Sequence, residues 1–140
     1  MLVEFLGAVI TQNGRYLVEP IENNEKMYVR FPRIETVNAI AEKEEILEYG
    51  LKMKYGIEIM VNDCIYQEDF TDKSDVVSYA YFSVYMHGCK LPSQMLWIEK
   101  EDLSRVNFVI EDSIITDIIL NSDKKEAFNV QDISCVEKRR

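Results

Sequence analysis

Residues 44–57 read EEILEYGLKMKYGI and belong to the clearest helix pattern in the chain. Apolar residues in and just before it recur at the spacing of one helix face, which predicts a helix over 38–55. The predicted apolar face consists of Ile40, Leu47, Leu51 and Tyr55. Asn38 is expected to cap the start of this helix, and Gly56 is expected to end it in a left-handed conformation.

Strand patterns lie on both sides of the helix. Three β-prone stretches precede it and three follow it, and Asn13-Gly14 marks a tight hairpin turn between the first two. Pro32 is expected to end the third strand. The predicted strands are 2–11, 15–19, 27–31, 57–66, 76–86 and 95–99. One helical turn at 101–103 and a last helix at 111–120 complete an α/β fold, in which helices cover both faces of a mixed sheet.

The composition limits the classes of partner. The formal net charge of -9 disfavours binding to nucleic acid, because an acidic surface repels phosphates. No apolar run approaches the roughly 20 residues that cross a membrane. Three scattered cysteines and one histidine leave little material for a disulfide framework, a zinc site or a Ser-His-Asp triad. We expect one domain over 1–121 in a reducing cytoplasm, then a tail, 122–140, with a weak strand candidate at 130–136.

Several short motifs before, within and after the helix follow one another in a characteristic order. Phe31-Pro32 precedes the helix, EEIL and KYGI lie along it, and QEDF and SYAYF follow it. The segments LWI and EDL within 96–103, and the run from Asn107 to Leu120, complete the series. In this order the motifs resemble the MutT-like branch of the Nudix hydrolase family over residues 3–121. The resemblance implies a Nudix-fold α/β/α sandwich, a mixed β-sheet flanked by helices.

The Nudix signature, G-x5-E-x7-R-E-U-x-E-E-x-G-U, places glutamates on one helix face, where they bind the Mg²⁺ that bridges a diphosphate. We align it on Gly56-Ile57. The departures are then Tyr49 for the arginine, Gly50, Met53 and Lys54 for the three glutamates, Arg33 and Ile34 for the loop glycines, and Leu96 for a later acid. Because glycine, a thioether and an ammonium group are not ligands for a hard cation, this alignment implies a degenerate site without hydrolysis.

A second alignment retains several carboxylates. It matches Glu35, Glu44 and Glu48 to acidic positions of the signature and replaces the arginine with Lys43. It implies an active Mg-dependent hydrolase that cleaves a nucleoside diphosphate linkage. However, it loses the middle glutamate to Leu47 and shortens the loop after Phe31-Pro32. We favour the first alignment, because the helical core face already accounts for Leu47.

Four residues are candidates for ligand binding. Arg33 and Lys54 would be fixed cations for a phosphate, in place of a metal. Trp97 would stack on a base or ribose, and Asp112 falls near the position where the MutT-like branch reads a base. The competing interpretations are two surface cations, a packed indole ring and an acid at a helix start. The acidic run Glu42, Glu44, Glu45 and Glu48 is similarly either a metal cluster or a solvated helix face.

Three functions remain open. We favour a non-hydrolytic Nudix-like domain that needs no cofactor and binds a nucleotide-like phosphorylated ligand or a protein partner. The alternative is the Mg-dependent hydrolase of the second alignment. A third interpretation is an interaction domain or homodimer subunit without any ligand. None of the three involves nucleic acid or a membrane.

Overall fold

The computed structural model describes residues 1–88 and 91–128, with side chains as far as Asn121. The strands are β1 (Leu2–Gln12), β2 (Arg15–Asn23), β3 (Lys26–Arg30), β4 (Arg33–Val37), β5 (Ile59–Asp72), β6 (Asp75–Met86) and β7 (Leu96–Glu99). The helices are α1 (Lys43–Tyr55) and α2 (Ser113–Phe128), with short 3-10 segments at Lys100–Ser104 and Ile110–Asp112. No helix in these two ranges is long and apolar enough to cross a membrane.

The strands form one mixed sheet around β1. Strand β1 lies between β4, which is antiparallel to it, and β6, which is parallel. Strand β5 pairs with the far side of β6, so β4 and β5 lie at opposite edges of this part of the sheet. Past the β1–β2 hairpin, β2 pairs with β3 on one side and with β7 on the other.

Two cores lie on the two faces of the sheet. Side chains alternate along the strands, so neighbouring residues of one strand enter different cores. The core under α1 includes Leu6, Ala8, Ile10, Leu17, Leu47, Leu51, Tyr55 and Phe82. The core under α2 includes Val9, Tyr16, Val18, Phe31, Tyr81, Ile98 and Ile115. The expected α/β/α sandwich is therefore confirmed.

The predicted hairpin turn and helix end are also confirmed. Asn13 and Gly14 both have positive φ, 56° and 76°, and Gln12 pairs directly with Arg15. Gly56 takes the left-handed conformation, with φ 71° and ψ 21°. Its N–H closes the last helical turn on the carbonyls of Leu51 and Lys52.

The predicted start of the helix is wrong. Helix α1 begins at Lys43, and Ile40 is 102% exposed instead of lying on the apolar face. Asn38 has φ 52° and does not cap the helix. Its backbone N–H donates to the Leu2 carbonyl at 2.7 Å, and its side-chain oxygen accepts from the Leu2 N–H at 2.8 Å. Asn38 therefore ends the pairing of β4 with β1.

Strand β4 was not predicted, because Pro32 was interpreted only as the end of a strand. The chain turns at Pro32 and returns along the free edge of β1, with Leu6 opposite Ile34. Strands β2 and β5 are also longer than predicted. The last helix begins later, at Ser113, and extends to Phe128. The strand candidate at 130–136 lies outside the described residues.

Candidate ligand-binding site

Helix α1 passes very close to β4 at Gly50. A Cβ atom on Gly50 would lie 2.7 Å from Cγ1 of Ile34 and 2.9 Å from its Cδ1 and Cγ2. Contacts this short do not occur between real carbon atoms, so the side chain of Ile34 already fills the space beside Gly50. Any side chain at position 50 requires Ile34 to move.

Lys54 lies one turn further along the same flank of α1. Its Nζ donates to the backbone carbonyl of Arg33 at 3.2 Å and lies 5.0 Å from the ring centre of Tyr55. Partial burial lowers the pKa of Lys54, and the charge of Arg30 lowers it further. Met53, the remaining departure on this part of the helix, is exposed. The flank therefore carries a cation and no carboxylate.

A polar cluster beside Lys54 joins α1 to strands β2 and β3. Glu19 Oε1 accepts from Arg30 Nε at 2.9 Å and from the Tyr55 hydroxyl at 3.0 Å. Glu19 is 9% exposed, and the Arg30 side chain keeps 20% exposure. Burial raises the pKa of Tyr55 to about 12, and Glu19 adds to the shift, so this hydroxyl remains a donor. We refer to Glu19, Arg30, Lys54 and Tyr55 as the α1-side cluster.

Glu19 and Arg30 were not among the candidates predicted from the sequence. Glu19 follows the apolar run Tyr16–Val18 and was interpreted as the end of a strand. The position of Glu19 in the strand could have identified it. Residues 17 and 19 of one strand share a face, and Leu17 lies in the core under α1. The pairing of Glu19 with Arg30 then depends on the β2–β3 register, which the sequence does not specify.

Arg33 points away from the α1-side cluster. Its guanidinium bonds Glu111 at 3.1 Å and lies 5.6 Å from the ring centre of Phe5, on the α2 side of the sheet. Only its backbone carbonyl contacts Lys54. Arg33 and Lys54, which the sequence suggests as a pair of cations, therefore lie near each other, but their charged groups face different sides of the sheet.

Asp112 is completely buried at the start of α2. Its Oδ2 accepts from the Phe31 N–H at 2.8 Å, and its Oδ1 accepts from the Tyr81 hydroxyl at 2.5 Å. Burial raises the pKa of Asp112, although both hydrogen bonds oppose this shift. Burial also raises the pKa of Tyr81. The hydrogen bonds of Asp112 therefore fix the turn after β3 to the start of α2. A ligand would have to displace the Phe31 N–H or the Tyr81 hydroxyl to reach the carboxylate.

Trp97 lies on β7 opposite Leu17. The ring is half-buried and packs against the core under α1. Its position matches the packed ring considered as the competing interpretation. The stacking role of Trp97 stays a prediction.

Solved structures of the same overall shape come from several organisms. The E. coli ORF135 protein matches with a TM-score of 0.71 at 14% identity, over 86% of this chain and 89% of that one. A MutT protein of the Nudix hydrolase family from methicillin-resistant Staphylococcus aureus 252 matches with a TM-score of 0.64 at 16% identity, over 87% and 98%. The C. elegans Ap4A hydrolase matches with a TM-score of 0.61 at 17% identity, over 91% and 98%. The chain has the Nudix fold. No family model and no curated protein matches the sequence.

On this Nudix fold, the carboxylates of the second alignment do not converge. Glu48 accepts from the N–H of Val61 on β5 at 3.2 Å. Glu35 lies on β4, opposite Phe5, and so faces the α2 side of the sheet. Three strand spacings separate β4 from β5, or about 14 Å. Glu44 is exposed in the first turn of α1.

No three acidic, histidine or cysteine residues within the described parts of the chain are arranged to bind a metal. In the second alignment Gly50 and Leu51 match the closing glycine and apolar positions of the signature, but helix α1 continues through them to Tyr55, and Leu51 is fully buried. The geometry therefore gives the second alignment no support.

Proposed function

We propose that this Nudix-fold domain binds a nucleotide-like phosphorylated ligand without hydrolysing it. The observation that carries the proposal is the contact between Gly50 and Ile34. In the alignment on Gly56-Ile57, position 50 replaces a glutamate of the signature and position 34 replaces a loop glycine. The two replacements are complementary in volume, because the larger side chain in the loop occupies the space that the smaller one leaves on the helix.

The complementary exchange argues against random decay of a catalytic site. Decay of single ligands would leave a polar cavity beside the helix, whereas here the space is filled with hydrocarbon and packed tightly. Ile34 also packs against the core under α1, so the replacement contributes to folding. We infer that this flank has been rebuilt as a packed surface.

The charge on the same flank also argues against a metal. Lys54 replaces the last glutamate and places an ammonium group 3.2 Å from a backbone carbonyl oxygen. Mg²⁺ requires several oxygen ligands in near-octahedral geometry, and a neighbouring cation repels it. Together with Arg30, Lys54 offers positive charge that attracts a phosphate without activating water for attack on it.

A nucleotide panel in the presence of Mg²⁺ or Mn²⁺ tests this proposal. We expect no release of phosphate, diphosphate or nucleoside monophosphate, together with a ligand-dependent rise in melting temperature, since a ligand that binds only the folded state stabilises it. Robust release that is lost in Glu44→Gln and Glu48→Gln would overturn the proposal and establish the hydrolase of the second alignment. An unchanged melting temperature with every nucleotide would also overturn it, in favour of a protein-interaction domain.

A further inference from the structure

We infer that Arg30, together with Lys54, binds a terminal phosphate monoester of the ligand, and that Glu19 and Tyr55 position Arg30 for this contact. The inference rests on the proposed function and names the chemical group that the site recognises. Arg30 thus takes the role that the sequence alone assigns to Arg33.

The hydrogen bonds of the α1-side cluster restrain Arg30. Glu19 accepts from its Nε at 2.9 Å, and the same oxygen accepts from the Tyr55 hydroxyl at 3.0 Å. Glu19 is held in turn by its place on β2, directly opposite Arg30 on β3. A guanidinium restrained through Nε loses less side-chain freedom when its terminal nitrogens bind an oxyanion, so it is pre-organised for phosphate.

The charges of this region leave an excess of positive charge. Within the α1-side cluster, the carboxylate of Glu19 balances one of the two cations, Arg30 and Lys54. The lowered pKa of Lys54 has burial as its largest cause and Arg30 as the next, which fits two cations in mutual repulsion. The exposed Glu35 acts on Lys54 more weakly than Arg30 does. An anion bound between the two cations would relieve this repulsion.

The chemistry of the two cations favours a phosphate dianion. Arginine presents a planar fork that matches two phosphate oxygens, and lysine adds a point charge to a third. A terminal phosphate monoester is such a dianion near neutral pH, whereas a carboxylate or a phosphodiester carries one charge. The charge of Arg33 also lowers the pKa of Lys54, but more weakly than that of Arg30, and the guanidinium of Arg33 bonds Glu111 and lies over Phe5 on the α2 side.

Binding of inorganic phosphate and of AMP to the whole chain, measured by calorimetry without any divalent metal, tests this inference. Adenosine serves as the ligand that lacks the phosphate. We expect Arg30→Met and Lys54→Met each to weaken binding of both anions by roughly tenfold or more, the effect of losing one charge-assisted contact. Arg33→Met is the matched control, and we expect it to change the affinity by less than about twofold.

Tyr55→Phe tests the positioning role separately. It retains the buried ring but removes the hydroxyl that bonds Glu19, so we expect a several-fold loss of phosphate affinity. In an Arg30→Met background the same change should have almost no effect on affinity, because the residue being positioned is absent. A purely structural role of Tyr55 would give equal losses in both backgrounds and would overturn the positioning claim.

The remaining outcomes are decisive as well. Undiminished phosphate binding in Arg30→Met, or its loss in Arg33→Met, would refute the assignment of Arg30. Absence of phosphate and AMP binding to the wild type would refute it too, even if the nucleotide panel still stabilises the protein without turnover. If the melting curve shows that Arg30→Met does not fold, Lys54→Met still decides whether this flank binds the phosphate, because Lys54 is exposed and its substitution leaves the core intact. Hydrolysis with a metal would refute the proposed function and leave these metal-free affinities to be judged independently.

Discussion

The two faces of the sheet each bury a carboxylate that accepts a hydrogen bond from a tyrosine, but the two arrangements differ in what else they contain. On the α1 side, Glu19 binds Tyr55 and also the guanidinium of Arg30, which keeps 20% exposure. On the α2 side, Asp112 binds Tyr81 and a backbone N–H, and it is sealed from solvent. The first arrangement retains an accessible cation, whereas the second satisfies a buried charge with neutral donors.

We infer that this difference separates a binding role from a structural one. A charge that is fully buried among neutral donors is costly and persists where it fixes the chain, as Asp112 fixes the turn at Phe31. A carboxylate that orients a partly exposed arginine leaves that arginine available to a ligand. We therefore expect changes on the α2 side to affect stability, and changes in the α1-side cluster to affect phosphate binding.

The largest expected effect on stability comes from Asp112→Ala. The Phe31 N–H would be left buried without an acceptor, although the Tyr81 hydroxyl can still reach the carbonyl of Glu111 at 3.1 Å. We expect a loss of about 2–3 kcal/mol in the free energy of unfolding, measured by urea titration. Asp112→Asn, which retains an acceptor and removes the buried charge, should cost much less. Equal losses for the two variants would contradict the hydrogen-bond explanation.

Gly50→Ala tests the tight packing on the α1 side. Alanine at an open helical position stabilises a helix by up to about 1 kcal/mol relative to glycine. Here the added carbon meets Ile34, and overpacking typically costs about 1–3 kcal/mol, so we expect a net loss of about 1–2 kcal/mol. Combination with Ile34→Ala should relieve the contact, so the double variant should lose less than the sum of the two single losses. Stabilisation by Gly50→Ala alone would show that the flank is open.

Glu19→Gln should have a smaller effect on stability and a clearer one on binding. Both hydrogen bonds go to Oε1, which glutamine retains, but the amide does not neutralise Arg30 and accepts its hydrogen bond more weakly, so we expect a loss of about 1 kcal/mol in unfolding free energy. Phosphate affinity should fall at the same time, because a neutral amide restrains Arg30 less firmly than the carboxylate does. If Glu19→Gln loses stability while its phosphate affinity is unchanged, the α1-side cluster has a structural role like that of Asp112, and the proposed difference between the two faces is wrong.

The smallest effect is a pH dependence that belongs to the α2 side. The folded state raises the pKa of Asp112 above its ordinary value, so it binds this proton more tightly than the unfolded chain does. The resulting stabilisation is present at acidic pH and is lost as the pH rises through the raised pKa. Urea titrations of wild type and Asp112→Asn across this range should therefore diverge, with the wild type losing stability relative to the variant. Parallel pH profiles would contradict the assignment.

The sequence predicts the apolar periodicity well and the placement of polar groups poorly. Leu47, Leu51 and Tyr55 are buried and Gly56 ends the helix, because periodicity and a left-handed glycine are local signals. Ile40 was misplaced because it lies in the connection between β4 and α1, where Asn38 bonds Leu2 instead of starting the helix. Which arginine faces α1 depends on strand register and on the existence of β4, and both are set by tertiary pairing.

The proposed function requires that helix α1 binds no divalent metal. The most direct test is a titration of isotope-labelled protein with substoichiometric Mn²⁺, followed by the paramagnetic broadening of amide signals in NMR spectra. We predict no selective broadening of residues 43–57 beyond that of exposed acidic loops. Selective broadening at Gly50 to Lys54, or at Glu44 to Glu48, that Mg²⁺ reverses would place a metal on the helix and contradict the account.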